Sequence, residues 1–356
     1  MNKSSYKKTN TLSVLLSLFL LVTCAHATPS LQLCDNMTQM HAPTIIEGNP
    51  GELLLTFYAG TKVLNPDNKE VTDCNIWISR LSQDENSWSA PVVIASSQEI
   101  KAGTPVPCLD PVLCKTSTGK IHLFYKVGTS TENWTGYVKS SDDNGATWST
   151  PRCLAPYGAT GPHRCKPVEL ADGSLVFAAT RGSWNFRASC TERANADLTQ
   201  WEVSDLICRE NLNEILQQPA IFRTGNNLRM LFRVRNLANI YTSVLSDHGQ
   251  TWTQPSPTVL AGCDSSLDVV TLINGTTLLA YNDIVGSKRY RLVLMKPQDE
   301  LAQEWEQIKT IAESEDQNTV FCYPSIIQDS NRLVHLVYVK DYQEICYETF
   351  HEEELI

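Results

Sequence analysis

Apolar residues recur along the chain in a fixed pattern. A short apolar strand is followed by a turn containing Gly, Asn or Asp, and then by a second apolar strand. Six segments show this pattern, starting at Pro43, Pro111, Pro167, Pro219, Val269 and Pro324. The intervals between these starts are 68, 56, 52, 50 and 55 residues. Two short apolar runs joined by such a turn are typical of a β-hairpin, so the pattern predicts six hairpins.

Tryptophan marks a second position in each repeat. The residues concerned are Trp88, Trp148, Trp201, Trp252 and Trp305, spaced 60, 53, 51 and 53 residues apart. Each repeat then consists of a hairpin, a third strand, a Trp turn and a closing strand. Repeats of about 50 residues containing four strands are typical of propeller blades. The sequence predicts an all-β fold, a six-bladed β-propeller of four-stranded antiparallel blades over residues 28–356.

Two of the Trp turns carry further residues. The run Ser141–Trp148, SDDNGATW, matches the Asp-box pattern S-x-D-x-G-x-T-W at every position. The turn ending at Trp252 keeps Asp247, Gly249 and Thr251, but has Leu245 in place of Ser. A carboxylate in such a turn can accept backbone N–H groups, and Gly can adopt a positive φ. We therefore interpret Asp143 and Asp247 as structural residues of the turn.

Propeller blades share a central axis, so equivalent strand ends face one common mouth. The residue before each repeat's first position then occupies the same place in every blade. These residues are Ala42 (after His41), Asp110, Lys166, Gln218, Asp268 and Tyr323. Five of the six are polar or ionisable at the start of an apolar strand. Convergent polar groups at a concave mouth indicate a ligand site. Solvated turn residues are the alternative interpretation.

The N-terminus indicates export. Lys3, Lys7 and Lys8 precede an apolar stretch, Leu12 to Val22, and a small-residue cleavage site ends at Ala27. We expect residues 1–27 to be a secretory signal. The remaining chain has 26 basic and 39 acidic residues, a net charge of −13. This charge disfavours nucleic acid as a partner, and no later apolar stretch is long enough to span a membrane. A secreted or periplasmic protein is expected.

Twelve cysteines are present, eleven of them after the predicted cleavage site. In an oxidising compartment several should form disulfides, although the pairing cannot be derived from the spacing. No CxxC pair, Gly-rich phosphate loop, HExxH motif or EF-hand run is found. The sequence therefore indicates no metal and no cofactor.

The whole chain from about residue 40 to 350 resembles the sialidase superfamily, in particular its secreted BNR-repeat (neuraminidase-like) members. The resemblance is carried by the stretches HAPTIIE, WTGYVKSSDDNGATWS, CKPVELADGSLV, QQPAIF, LDVVTLINGTTLLAYND and CYPSIIQ. It implies a glycosidase that binds a sugar carboxylate through three Arg side chains. Arg233 and Arg289 lie at two of the corresponding positions, with Arg291 as an alternative to Arg289. The first Arg of the family is replaced here by His41, a catalytic candidate that could bind the carboxylate when protonated and could also act as an acid or base.

The resemblance also implies a Tyr nucleophile, an exception among glycosidases. Tyr323 lies at the matching position in the sixth blade. The carboxylate that usually activates this Tyr is replaced by Gln218, and Asp268 or Asp110 are possible substitutes. The general acid of the family comes from a loop after the first hairpin, which here contains Asp67, Glu70 and Asp73. Asp73 and Glu70 are the favoured candidates, although a solvated acidic loop is an equally good interpretation.

Lys166 has two interpretations. It could bind a substrate carboxylate or hydroxyl, or it could pair with Asp110 or Asp268 within the mouth. The neighbouring His163 and Arg164 are interpreted as loop residues. The leading hypothesis for function is an exo-glycosidase, sialidase-like, acting on terminal acidic sugars of a glycan. The alternatives are a hydrolase or lyase acting on a uronic-acid polysaccharide, and a propeller that binds glycans without catalysis.

Overall fold

The structure is a computed structural model that describes residues 29–34, 37–60, 73–82, 87–101, 103, 105–182, 186–245, 251–299 and 301–355. These residues form six four-stranded antiparallel sheets, as predicted. The predicted signal, residues 1–27, lies outside the described residues, and so do Asp67, Glu70 and Asp247. No helix in the described part of the chain is long and apolar enough to cross a membrane.

Each of the first five sheets consists of four consecutive strands. Blade 1 contains β2 (Gln39–Glu47), β3 (Glu52–Gly60), β4 (Asn75–Ser82) and β5 (Val92–Ala95). Blade 2 contains β6 (Cys108–Lys115), β7 (Ile121–Val127), β8 (Thr135–Ser141) and β9 (Arg152–Cys153). Blade 3 contains β10 (Val168–Glu169), β11 (Leu175–Gly182), β12 (Arg187–Ala194) and β13 (Trp201–Val203). Blade 4 contains β14 (Ile215–Thr224), β15 (Asn227–Arg235), β16 (Asn239–Leu245) and β17 (Ser256–Ala261). Blade 5 contains β18 (Asp268–Thr271), β19 (Thr277–Tyr281), β20 (Arg291–Pro297) and β21 (Trp305–Glu313).

The sixth sheet closes the ring. It contains β22 (Phe321–Gln328), β23 (Leu333–Lys340), β24 (Glu344–His351) and, as its outer strand, β1 (Leu31–Gln32) from the N-terminal part of the chain. Leu31 pairs with Ile345 in this sheet. The innermost strand of blade 1, β2, contacts the innermost strands of both blade 2 and blade 6. Strands from both ends of the sequence therefore hold the propeller closed.

Three of the five Trp turns share one geometry, although only one of the three has a complete Asp box. The indole N–H groups of Trp148, Trp201 and Trp305 each donate to the carbonyl three residues earlier, at 3.1, 2.8 and 2.9 Å. In each of these turns that earlier residue has a positive φ: Gly145, Leu198 and Ala302. Trp88 and Trp252 donate instead to the Pro29 carbonyl and the Thr191 hydroxyl. The spacing therefore identified true equivalents of the complete box at Trp201 and Trp305.

The Asp143 carboxylate belongs to its own turn, as expected. It accepts hydrogen bonds from the Ser141 hydroxyl at 2.8 Å and the Thr147 amide at 2.8 Å. These hydrogen bonds lower the pKa of Asp143 to about 2, with the Thr147 bonds contributing most. Asp299 plays the same part before Trp305, accepting the backbone N–H of Glu304 at 2.7 Å.

Eleven cysteines lie within the described residues, and nine of them have free thiol groups. These are Cys108, Cys114, Cys153, Cys165, Cys190, Cys208, Cys263, Cys322 and Cys346. The expectation of several disulfides is not met at these positions. Most of these thiols are buried within blades, where each behaves as a small apolar side chain.

A fully buried carboxylate joins blades 2 and 3. Glu192 on β12 is 0% exposed and accepts the backbone N–H groups of Thr160 and Gly161 at 2.9 and 2.7 Å. It also pairs with Arg181 at 2.7 Å. A buried charge is tolerated only where hydrogen bonds and an opposite charge satisfy it, and this carboxylate has both.

Replacing Glu192 with alanine should therefore destabilise the fold. The loss leaves the Arg181 guanidinium and two backbone donors without their acceptor, and breaking a buried pair in this way costs about 3–5 kcal/mol. Denaturant unfolding of Glu192→Ala and wild type measures this difference. Glu202→Ala, at an exposed position on β13, is the control and should change the free energy of unfolding by less than about 0.5 kcal/mol. A Glu192→Ala variant as stable as this control would contradict the assignment.

Candidate active site

The backbone presents equivalent residues of four blades to the central mouth. Ala42, Asp110, Gln218 and Tyr323 all have positive φ values, between 43° and 56°. Each lies within an interruption of the pairing between the first two strands of its blade. A left-handed conformation costs a non-glycine residue about 1–3 kcal/mol, and such strain concentrates at functional sites. The structure thus supports the equivalence inferred from the repeat.

The other two blades contribute a charged pair to the mouth. Lys166 immediately precedes β10, and its ammonium group binds the carboxylate of Asp268, the first residue of β18. The same Asp268 oxygen accepts the backbone N–H of Ile326 at 2.9 Å. Of the two roles expected for Lys166, pairing within the mouth is the one seen here. Asp268 is consequently engaged by a cation and by a backbone N–H group.

Tyr323 lies between two guanidinium groups. Arg164 lies over its ring with Cζ 4.9 Å from the centroid, and Arg289 with Cζ at 5.7 Å. Burial raises the pKa of Tyr323, while the positive charge of Arg289 acts in the opposite direction. The negative charge of Asp110, one of the carboxylates proposed to activate this Tyr, raises the Tyr323 pKa further.

Arg164 is the residue that sequence reasoning missed most clearly. It was interpreted as an ordinary loop residue, yet it is 3% exposed and reaches into the mouth with a φ of 78°. Its Nη2 atom lies 3.5 Å from the Pro43 carbonyl, next to His41. Its Nη1 atom is buried and has no hydrogen-bond partner among the described residues. A guanidinium from blade 3 thus lies beside the position at which the family resemblance predicts an Arg from blade 1.

Arg233 and Arg289 converge on one further residue, Asp264. The Asp264 carboxylate accepts Arg233 Nε at 2.7 Å and Arg235 Nε at 2.9 Å. Its backbone carbonyl accepts Arg289 Nη2 at 2.9 Å. The charges of Arg233 and Arg235 hold the pKa of Asp264 below its usual value, although burial opposes this. Asp264, which the sequence did not identify, therefore holds both predicted Arg residues in place, Arg233 through its carboxylate and Arg289 through its backbone carbonyl.

A fourth guanidinium extends this cluster. Arg187, at the start of β12, donates to the Gln217 side chain at 2.5 Å, and Gln217 in turn donates to Asp264 at 3.1 Å. Burial and the neighbouring charges of Arg233 and Arg235 lower the pKa of Arg187 to about 10. Arg291, the alternative to Arg289, instead donates to Gln307 at 2.8 Å, at an exposed position.

Asp110 and Gln218 are linked through His163. The Nε2 atom of His163 lies 3.0 Å from Asp110 Oδ2 and 3.1 Å from the Gln218 side-chain nitrogen. Gln218 also accepts Arg233 Nη1 at 2.6 Å. Burial lowers the pKa of His163 to about 4. Burial opposes ionisation of Asp110, but the hydrogen bond and charge of His163, together with Arg164, hold the Asp110 pKa below its ordinary value. His163 is therefore a residue of the mouth, although it lies in a loop as predicted.

His41 is enclosed by aromatic rings. It stacks on Tyr342 with ring centroids 4.5 Å apart and on Tyr58 at 5.2 Å, and the Tyr323 ring is 5.9 Å away. Burial lowers the pKa of His41 to about 3, and the charges of Arg289 and Arg164 add to this effect. At neutral pH the imidazole is uncharged, so His41 does not replace the cation of the family Arg.

Of the two favoured candidates for the general acid, Asp73 is the one that the structure describes. It precedes β4, and its carboxylate lies against Gly60 at the end of β3, where a Cβ atom would come within 2.8 Å of Oδ1. The lack of a side chain at Gly60 therefore gives this carboxylate its position at the mouth end of blade 1. Glu70, the other candidate, belongs to residues 61–72, which the structure does not describe.

The mouth carries an excess of positive charge. Its cations are Arg164, Lys166, Arg187, Arg233, Arg235 and Arg289, and its described carboxylates are Asp73, Asp110, Asp264 and Asp268. Six cations and four carboxylates meet in a chain whose overall charge is strongly negative. The arrangement favours an anionic ligand. Among the described residues, no group of three or more His, Cys, Asp or Glu side chains could hold a metal ion.

The buried imidazoles make stability dependent on pH. The unfolded chain binds protons at His163 below about pH 6.5, whereas the folded chain does so only near pH 4. Neutral His163 therefore makes its full contribution to the free energy of unfolding above pH 6.5, and this contribution is lost as pH falls toward 4. The shift in the His163 pKa corresponds to about 3 kcal/mol of this free energy. Free energies of unfolding at pH 7 and pH 4.5 measure the loss, which should be smaller in His163→Gln. His351→Gln, at an exposed position, should follow wild type, and equal losses in all three proteins would contradict the prediction.

Comparison with known proteins agrees with this fold. The profile of the BNR repeat-like domain family matches residues 51–336. A Hadza microbial sialidase superposes with a TM-score of 0.73 at 17% identity, over 90% of this chain and 67% of that one. A Trypanosoma rangeli sialidase in complex with sialic acid superposes with a TM-score of 0.67 at 14% identity, over 92% and 57%.

A further similar structure is an intramolecular trans-sialidase from Ruminococcus gnavus, with a TM-score of 0.67 at 12% identity, over 90% of this chain and 96% of that one. No curated protein sequence matches the chain. The structural similarities, all at low identity, establish the six-bladed fold, and the profile match covers most of the chain. The chain therefore belongs to the BNR repeat-like domain family.

Proposed function

We propose that the protein is an exo-glycosidase that removes terminal acidic sugars, of the sialic acid type, from glycans. The observation that carries this proposal is the position of Tyr323 between Arg164 and Arg289. A Tyr whose ring contacts two guanidinium groups suits a substrate whose carboxylate lies next to the reacting carbon. A carboxylate nucleophile in the same place would be repelled by that substrate, because like charges at short range are unfavourable.

The roles follow from the positions. Arg289, Arg233 and Arg164 bind the sugar carboxylate, because a planar guanidinium suits a carboxylate better than an ammonium does. The Tyr323 oxygen attacks the anomeric carbon and gives its proton to Asp110 as the bond to the leaving oxygen breaks, and Asp73 or Glu70 gives that leaving oxygen its proton. Water then cleaves the aryl glycoside bond between Tyr323 and the sugar. The same carboxylate, Asp73 or Glu70, takes a proton from this water, and Asp110 returns its proton to the Tyr323 oxygen. The predicted signal peptide would place this activity outside the cytoplasm.

The proposal is tested by turnover on a matched set of fluorogenic glycosides. Purified protein should release the fluorophore from a sialoside and leave the corresponding glucoside intact. Polysaccharides of uronic acids are incubated in parallel, because a lyase would produce an unsaturated uronate that absorbs in the ultraviolet. A folded protein with no turnover of the sialoside would refute the proposal.

A second candidate function is glycan binding without catalysis. It is favoured by Gln218, whose amide bonds to His163 and Arg233 at the position where the family resemblance implies an activating carboxylate. An amide cannot accept the Tyr proton. Binding of sialylated glycans without any turnover, and unchanged in Tyr323→Phe, would favour this function over the hydrolase.

A further inference from the structure

The turn between β23 and β24 has an unusual backbone. The Gln343 N–H donates to the Lys340 carbonyl at 3.0 Å and closes the turn. The two residues between them, Asp341 and Tyr342, have φ values of 49° and 59°. Turns with two positive φ values favour Asn, Asp and Gly. Asp341 suits this conformation, whereas a bulky residue such as Tyr342 is an outlier in it. An outlier of this kind points to a function for the side chain that it places.

Hydrogen bonds hold this turn from two sides. The Asp341 carboxylate accepts the Val320 N–H at 2.8 Å, and the Val320 carbonyl accepts the Asp341 N–H at 2.8 Å. The Tyr342 carbonyl accepts the N–H of Met40, on β2 of blade 1, at 2.8 Å. The backbone of Tyr342 is therefore tied to both the last and the first blade of the propeller.

The Tyr342 side chain contacts two residues of the mouth. Its ring stacks on His41, with centroids 4.5 Å apart and an angle of 20° between the planes. Its hydroxyl accepts a hydrogen bond from Arg289 Nη1 at 3.3 Å. Burial raises the pKa of Tyr342, so this hydroxyl is uncharged at neutral pH. The stacked ring thus fixes the position of a neutral hydroxyl that holds the Arg289 guanidinium.

Arg289 is held differently from its neighbours. Arg233 and Arg235 form ion pairs with the Asp264 carboxylate. Arg289 forms no ion pair within the described part of the chain: its Nη2 atom donates to the Asp264 backbone carbonyl at 2.9 Å, and its Nη1 atom donates to Tyr342. Uncharged acceptors orient a guanidinium without neutralising it. The charge of Arg289 therefore remains available to a ligand carboxylate, in a fixed orientation.

We propose that Tyr342 is a positioning residue that orients Arg289 toward the carboxylate of the substrate. This inference rests on the proposed function, because it takes an acidic sugar to be the ligand of the mouth. It accounts for a Tyr in a backbone conformation that favours Gly, since Gly would form the turn but would supply no hydroxyl to Arg289.

The test compares the dissociation constants of sialic acid and of its methyl ester, in which the carboxylate is neutral, by ligand-observed NMR. Wild type should bind the acid more tightly than the ester. Tyr342→Phe keeps the ring on His41 and removes the hydroxyl. It should weaken binding of the acid about tenfold and change binding of the ester by less than about twofold. In an Arg289→Met background the same substitution should have no further effect, because Tyr342 acts through Arg289.

Tyr347→Phe is the matched control. Tyr347 lies on β24 of the same blade, and its hydroxyl lies 2.8 Å from Nδ1 of the buried His335. This variant also loses a tyrosine hydroxyl contact, but one that does not involve Arg289. Its affinities for both ligands should equal those of wild type, and near-ultraviolet circular dichroism establishes that every variant is folded.

The outcomes separate the two proposals. Tyr342 is not a positioning residue, and the proposed function stands, if Tyr342→Phe leaves the affinity for sialic acid unchanged, weakens acid and ester equally, or adds its full effect to Arg289→Met. If sialic acid binds with the expected pattern but no sialoside is hydrolysed, the positioning role stands and the proposed hydrolysis fails. If wild type does not bind sialic acid, both proposals fail.

Discussion

Tyr323→Phe is expected to lower the turnover number for a fluorogenic sialoside at least about a thousandfold. The substitution removes one oxygen atom and leaves the ring between Arg164 and Arg289, so the binding surface persists while the nucleophile is lost. Removing a nucleophile commonly costs this much or more, because the residual rate comes from binding and electrostatics alone. Steady-state kinetics should show a large fall in kcat and little change in the affinity for sialic acid.

The control for this experiment is Tyr157→Phe. Tyr157 lies in the short 3₁₀ helix Ala155–Tyr157 of blade 2, near Trp201 and away from the mouth. Its kcat should remain within about twofold of wild type, as for most surface substitutions. A Tyr323→Phe variant that retains most of the wild-type kcat would exclude Tyr323 as the nucleophile. The nucleophile would then be another group of the mouth.

The fold could be predicted from the sequence because its repeats are local. A hairpin and a Trp turn within about 50 residues define one blade, and stacking six such units requires no long-range information. Trp201 and Trp305 illustrate this point. Neither belongs to a complete Asp box, yet their spacing placed them in the same turn as Trp148, and all three donate the same hydrogen bond.

The site could be predicted where it follows the repeat and, for Arg233 and Arg289, where the family resemblance identifies it. Asp110, Gln218 and Tyr323 follow from the convergence of equivalent positions on the mouth, and the structure gives them the same positive φ. Arg164 and Asp264 follow no repeat position. Arg164 matters through its contact with Tyr323 in blade 6, and Asp264 through its ion pair with Arg233, 31 residues earlier. Such contacts are set by three-dimensional packing, and no pattern along the chain records them.

His41 stands where the family has an Arg, and the structure shows what surrounds it. A charged imidazole could have replaced the family Arg, but this ring lies between Tyr58 and Tyr342 and is neutral at physiological pH. Arg164 reaches the neighbouring Pro43 carbonyl from blade 3. A cation from another blade thus lies beside the position of the missing Arg.

Arg164→Met is therefore expected to lower kcat/KM for a sialoside by about 10²–10³-fold, or about 3–4 kcal/mol of transition-state stabilisation. Methionine keeps much of the apolar stem that covers the Tyr323 ring and removes the charge. The guanidinium is almost fully buried, and its interaction with a substrate carboxylate would be weakly screened by solvent. The informative measurement is the ratio of kcat/KM for the sialoside to that for its methyl ester, in which the carboxylate is neutral. Arg164→Met should reduce this ratio sharply.

Arg193→Met is the matched control, because Arg193 lies in blade 3 and pairs with Asp172 at an exposed position on β12. The ratio of the two kcat/KM values for Arg193→Met should equal that of wild type, because exposed ion pairs contribute little. Arg164→Lys separates charge from geometry: an ammonium keeps the charge but loses the planar fork, so its ratio should fall between those of wild type and Arg164→Met. If Arg164→Met lowers kcat/KM for both substrates equally, Arg164 acts by supporting Tyr323 and not by binding the carboxylate. The anion site would then consist of Arg233 and Arg289 alone.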